Sequence, residues 1–123
     1  MRALALLLLL AACGAPPTLT RVETEVFAKS CTFAACHAAS APADGLNLES
    51  PTHAKLVNIR ARGAGVTDRV LVVPGRPEDS YLYQKLSVAM PRAGLTMPLG
   101  GDVLEQNRLF LVRDWIIAGA QND

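Results

Sequence analysis

The sequence predicts a small all-α domain built from short helices. Three observations carry that expectation. Apolar residues recur at helical spacing in separate segments around Val22, Leu82 and Leu111. The stretches between them are broken by Gly and Pro, the usual marks of loops. The one β-favouring run, Val70-Leu71-Val72-Val73, is four residues long and is stopped by Pro74-Gly75, which makes an extended segment and not a sheet.

At the N-terminus Met1-Arg2 precedes Ala3-Leu4-Ala5 and the leucine run Leu6 to Leu10. A positive start and a short apolar core read as a secretory signal, too short to span a bilayer. It ends in Leu10-Ala11-Ala12-Cys13, which resembles the lipobox of bacterial lipoprotein precursors. That resemblance implies cleavage before Cys13 and lipidation of its sulfur, and several acyl chains on one residue anchor stably where one would be marginal. The competing reading is an ordinary signal peptide with an incidental Cys13. Gly14 replaces the aspartate that often retains lipoproteins at the inner membrane. The expected location is therefore the cell envelope, on the periplasmic face of the outer membrane in a two-membrane bacterium.

The chain then divides into a signal over residues 1–12, a lipidated tether over 13–20 and one domain over 21–123. Cleavage would leave 111 of the 123 residues, enough for one small domain. Loss of Arg2 takes the twelve basic residues to eleven, against eleven acidic ones, so the mature formal charge is zero. Nothing in that balance points to nucleic acid. Three Phe, two Tyr and one Trp make a thin aromatic core, marginal at this size unless something else fills the middle.

Along the domain, Thr20-Arg21-Val22-Glu23 has capping-box spacing, and Val22, Val26 and Phe27 share one side of a first helix that runs to Ser30. A loop from Ala38 to Asn47 follows, closed by Leu46 and Leu48 as pocket wall. Ser50-Pro51 predicts an N-cap and first turn for a short helix carrying Ala54, Leu56 and Val57. Arg60 to Asp68 is a surface turn. Pro77-Glu78-Asp79-Ser80 is expected to open the next helix, with Leu82, Tyr83 and Leu86 on its apolar side. The loop from Met90-Pro91 to Gly100-Gly101 comes next. Asp102 with Glu105 predicts the start of a final helix striped by Leu104, Leu111, Val112, Trp115 and Ile116, with Gly119 at its C-terminal cap.

The chemistry concentrates in Cys31-Thr32-Phe33-Ala34-Ala35-Cys36-His37. Two thiols followed at once by a histidine is the arrangement that fastens a haem covalently, although the usual motif has two residues between the cysteines and this one has four. At about 100° per residue, positions five apart sit roughly 140° apart around a helix, so the segment between the thiols must bulge. With Cys13 lipidated, Cys31 and Cys36 are the thiols left in an oxidising compartment. They are expected to be bonded, either as two thioethers to haem or as one short-loop disulfide, a weak staple. Zinc fits poorly, since His53 alone is at hand to complete a Cys/His set.

In these residues the sequence resembles the small class I c-type cytochromes, and more closely the planctomycete-type cytochrome c-like domains. The resemblance runs from about Phe27 to Ala120. It rests on Phe27, Cys36-His37, Gly45-Leu46-Asn47-Leu48, Val73-Pro74-Gly75-Arg76-Pro77 with Ser80 and Leu82, Met97-Pro98 with Gly100-Gly101, and Trp115-Ile116 with Gly119-Ala120. It implies N- and C-terminal helices crossing over a haem pocket. It also implies one covalent haem c held through Cys31 and Cys36, with His37 as proximal iron ligand and Met97 as distal ligand. Met90 is the alternative distal ligand, and His53 an alternative partner for His37. Leu46, Leu48, Leu56 and Leu86 would surround the group. Trp115, Tyr81, Tyr83 and Arg92 are candidate partners for its propionates, with core packing or ordinary surface exposure as the plainer role for each.

Two axial ligands leave no open iron position, and thioether sulfur favours the reduced state relative to bis-His ligation. The expected function is transfer of single electrons between redox partner proteins, with no substrate transformed and no small-molecule substrate bound. The alternative, from a different class, is a non-haem lipoprotein in which a Cys31–Cys36 disulfide supports a structural or binding module.

Overall fold

The computed structural model describes residues 14–88, 91–100 and 103–123. The expected signal over 1–12, Cys13, Met90 and Asp102 therefore lie outside the described residues. Within them are four helices and no sheet. Helix α1 occupies residues 19–30, α2 His53–Leu56, α3 Tyr81–Ser87 and α4 Gln106–Ile117. Single 3₁₀ turns at Ala43–Gly45 and Pro77–Asp79 punctuate the loops. No helix among the described residues is long and apolar enough to cross a membrane.

Helix α1 begins earlier than the Thr20 capping box predicts. Its N-cap is Thr18, whose hydroxyl accepts the Arg21 amide at 3.3 Å. Leu19 and Thr20, assigned by sequence to the tether, form its first turn, and Leu19 is buried. The first amides need acceptors that no helix can supply for itself, and Asp123 provides them. Its carboxylate accepts the Leu19 amide at 2.9 Å and its main-chain oxygen accepts the Thr20 amide at 2.8 Å. The middle of α1, Glu23–Phe27, is π-helical, a wider turn that is frequent near functional sites. Val22, Val26 and Phe27 are fully buried, as their spacing predicts.

Glu23 does not reach back to a cap. It accepts the Ser50 hydroxyl at 2.6 Å and both the amide and hydroxyl of the buried Thr52 at 2.7 Å. This corrects the expected role of Ser50, because the N-cap of α2 is Thr52 and Ser50 is committed to α1. Next, the extended segment Val70–Val73 bridges residues 57 and 60 without widening into a sheet. Pro77–Ser80 does not open α3 either: it forms the 3₁₀ turn and then the N-cap, Ser80. The buried Ser80 hydroxyl donates to the Arg76 carbonyl at 2.8 Å and accepts the Val73 amide at 2.9 Å, so it locks the Pro-Gly turn between them.

The last helix starts at Gln106 with Glu105 at its N-cap, so Glu105 sits outside the helix and Leu104 is buried just before it. Leu111, Val112, Trp115 and Ile116 form the expected buried stripe, and α4 contacts α1. Its end is a Schellman cap, with Gly119 at φ +104°, its amide on the Ile116 carbonyl and the Ala120 amide on the Trp115 carbonyl, each at 3.0 Å.

Glu23 has a legible pH signature. Burial alone would raise its carboxyl, but the bonds from Ser50 and Thr52, with Lys55 nearby, outweigh that and hold it below the ordinary value of 4.5. A depressed folded value stabilises the fold above the unfolded value and ceases to do so as pH falls through the folded one. Chemical denaturation should therefore find Glu23→Gln less stable by about 1 kcal/mol at pH 7, a hydrogen-bond-sized loss at a half-exposed site. The difference should shrink as the pH is lowered below 4.5 and the carboxylate is protonated, and a pH-independent difference would refute the ionic part of this account.

Candidate functional site

A cavity of about 820 Å³ opens between the Cys31–Leu48 segment, α2 with the turn after it, α3 and the Ala93–Gly100 loop. That lies within the range of about 300–1,000 Å³ expected of ligand and cofactor sites. Its wall is mostly apolar and includes Phe27, Leu46, Leu48, Leu71, Leu82 and Leu86. Leu56 is a correction: it is fully buried in the core and does not reach the cavity. Phe33, Leu95 and Leu99 stand at the rim with 59%, 66% and 59% of their surface exposed, a concentration of apolar side chains that suits an apolar ligand.

Helix α1 ends where the motif begins. Cys31 leaves helical geometry at φ −124°, its amide still bonded to the Phe27 carbonyl at 2.9 Å. The segment between the thiols then bulges into a turn, closed by the Cys36 amide on Phe33 at 2.8 Å and the His37 amide on Cys31 at 3.0 Å. Both sulfur-bearing residues line the cavity and neither is in a disulfide. Burial pushes the Cys31 thiol up to about 11, with Cys36 adding to the effect.

His37 lines the same cavity and is held by three bonds, one to Cys31 within the motif and two to the chain that follows it. The 3₁₀ turn at Ala43–Gly45, with Asp44 and Gly45 both at positive φ, reverses the backbone so that Leu46 and Leu48 return alongside the histidine. The Leu48 amide donates to the His37 carbonyl, and the Leu46 carbonyl lies 2.9 Å from Nδ1 of the ring. A carbonyl can only accept, so Nδ1 carries the proton in the neutral ring and Nε2 keeps its lone pair. That is the tautomer in which Nε2 ligates a metal.

Met97 completes the group. It lies on the cavity wall, packed against the core, with its amide on the Lys85 carbonyl at 2.8 Å. Cys31, Cys36, His37 and Met97 thus converge on one cavity from two loop segments. The chain matches no protein-family model, no curated protein and no solved structure.

Other candidates separate from the cavity. His53 is bonded through Nε2 to the Ala120 carbonyl at 2.9 Å and does not line the wall, so it is not a partner for His37. Trp115 is fully buried and donates to the Gln121 carbonyl, while Arg92 pairs with Asp68 at 2.8 Å. Tyr83 is off the wall and Tyr81 is on it. No cluster of three or more metal-ligating His, Cys, Asp or Glu side chains occurs among the described residues.

The charge on the wall has no counterpart in the sequence reading. Lys55, Arg60, Arg62 and Lys85 line the cavity, and Asp44 is the single carboxylate among the described lining residues. The side chain of Arg62 packs over Gly45, next to the turn that serves His37. A chain with a formal net charge of only +1 therefore concentrates cations around one apolar cavity. The signal available in sequence was only the Arg60-Ala61-Arg62 spacing, which cannot be told from an ordinary exposed turn.

The two thiols should differ in reactivity before any cofactor is attached. A value of about 11 in place of 9.0 cuts the Cys31 thiolate fraction at pH 8 about a hundredfold, and higher intrinsic nucleophilicity returns about half of that on a logarithmic scale. Iodoacetamide labelling of the reduced, unloaded chain should modify Cys36 first and Cys31 at least about tenfold more slowly than an ordinary thiol. Equal rates by peptide mass spectrometry would mean that Cys31 is not buried as described.

Proposed function

We propose that the protein is a c-type cytochrome that carries single electrons and transforms no substrate. The observation that carries this reading is the His37 ring, with Nδ1 held by the Leu46 carbonyl, on the same cavity wall as Cys31, Cys36 and Met97. The residues fit a haem c: apolar walls for a macrocycle, two unbonded thiols for its vinyl carbons, one imidazole and one thioether for iron, and cations for two propionates. In the resembled family such a haem supplies one-electron iron chemistry.

The chain's own residues would divide the remaining work. Cys31 and Cys36 would fasten the macrocycle, and the Leu46 carbonyl would keep Nε2 of His37 as the ligating nitrogen. Met97 would supply a thioether sulfur as the second protein ligand, and the metal would then have no site for a substrate. Arg60 and Arg62, on the exposed turn, are the cations suited to carboxylates that reach water. The fold belongs to the same proposal: a cytochrome c-like arrangement in which α1 and α4 cross beside the pocket. The Cys13 lipid anchor on the periplasmic side of the outer membrane is likewise part of it, and redox proteins of the envelope would be the partners.

The first test is intact mass and a pyridine haemochrome spectrum of protein expressed with cytochrome c maturation factors. One added haem with a two-thioether spectrum is the expected result. A mass two hydrogens short of the reduced chain would replace this reading by the disulfide-bonded binding module. In the loaded protein, His37→Ala should keep the covalent haem and lose the low-spin spectrum. Met97→Leu should become high-spin and fall in potential by on the order of 0.1 V, a fraction of the range that axial ligands span. If Met90→Leu does so instead, the distal assignment is wrong.

A further inference from the structure

Helix α3 is seven residues long and ends with carbonyls that need donors from outside it. The Met97 amide supplies one of these, on the carbonyl of Lys85. The side chain of the same lysine reaches across to the same loop. Its ammonium donates to the Ala93 carbonyl at 2.8 Å and to the Leu95 carbonyl at 2.6 Å. Gly94 between them has φ +67°, a left-handed turn that aims both carbonyls at one point. A Cβ placed on Gly94 would lie 3.3 Å from the ammonium nitrogen. The Thr96 hydroxyl adds a further bond, to the Val88 carbonyl just past the helix.

We infer that Lys85 is a positioning residue for Met97: its ammonium clips the Ala93–Leu95 turn, and its carbonyl holds the Met97 amide, so one residue of α3 fixes the loop from both ends. Bonds from a charged donor are stronger than neutral ones, and two converge here on the carbonyls of Ala93 and Leu95, on either side of Gly94. The ammonium is half-buried, and burial lowers its pKa despite the opposing charge of Asp44, which also lines the cavity. A surface lysine at a helix end would have no such pair of acceptors. The loop itself has no helix or strand among its described residues, so its hold on Met97 comes from outside it. As far as it concerns ligation, the inference rests on the haem reading above.

The test compares full-length, haem-loaded parent with Lys85→Met, which keeps the aliphatic stem, and Lys85→Arg, which keeps a cationic donor. Two readouts are needed. Amide hydrogen exchange at Met97 should speed up about tenfold in Lys85→Met, while the amides of α4 keep the parent rate. Imidazole titration of the oxidised protein, which reads how easily Met97 is displaced, should show affinity raised by a similar factor, with Lys85→Arg recovering most of the change. Unchanged exchange at Met97 would overturn the clip. Faster exchange with unchanged imidazole affinity would overturn its control of Met97. Should Lys85→Met fail to fold, Gly94→Ala asks the same question, because it strains the turn and crowds the ammonium, and no change in either readout would overturn the inference. A chain that takes up no haem would sink the cytochrome reading instead, and exchange measured on that chain would still support or overturn the clip.

Discussion

Among the described residues, four helices, none longer than twelve residues, leave most of the backbone in loops, and every buried loop amide and carbonyl must still find a partner. The structure depends on how that constraint is met. The solution is consistent along the chain: a polar group on or beside one element ties down another segment, near in sequence or far from it. Glu23 of α1 holds Ser50 and Thr52, Ser80 closes the Val73–Arg76 turn, Lys85 holds Ala93 and Leu95, and Asp123 supplies the first acceptors of α1. Apolar packing of Val22, Phe27, Val112, Trp115 and Ile116 brings the terminal helices together, but it says nothing about where the loops go. The polar ties do.

The same device operates at the cavity. The Cys36-His37 pair would be free to turn with its loop were it not for the return of Leu46 and Leu48, which bond the His37 ring and backbone. Leu46 therefore serves twice, as apolar wall and as the acceptor that selects the tautomer. The thin aromatic content has a related consequence. Phe27 and Trp115 fill the core between the terminal helices, while Phe33 stands at the rim and the middle of the molecule is a cavity. A domain arranged in this way has little core of its own on that side, which is the condition under which a bound apolar group contributes to the fold as well as to function.

Much of the helical architecture was legible from apolar spacing, and the errors share one cause. Thr20 and Ser50 match the local pattern of a helix cap, and Pro77 matches that of a first turn. In the folded chain Thr20 bonds Asp123, Ser50 bonds Glu23, and Pro77 begins a single 3₁₀ turn. Side-chain oxygens that cap helices also serve as tertiary ties, and sequence spacing cannot distinguish the two uses. Leu56 failed for a similar reason, since helical spacing identifies a buried face and not which of two buried surfaces it meets.

By itself the sequence determined the helical class, the single extended segment that never becomes a sheet, the bulge required between Cys31 and Cys36, and the residue types that point to haem chemistry. These follow from periodicity, chain geometry and the donor set of adjacent side chains, all of them local. Only the tertiary structure decided that His53 faces Ala120 and not His37, that the Leu46 carbonyl sets the imidazole, that four cations gather on one wall, and that Lys85 serves the Met97 loop. Each of these joins groups nine or more residues apart, or through a loop whose path is set by its own polar ties. The physical reason is that a hydrogen bond specifies a partner only once the chain has brought the two groups together, and loop closure carries no periodic signal in sequence.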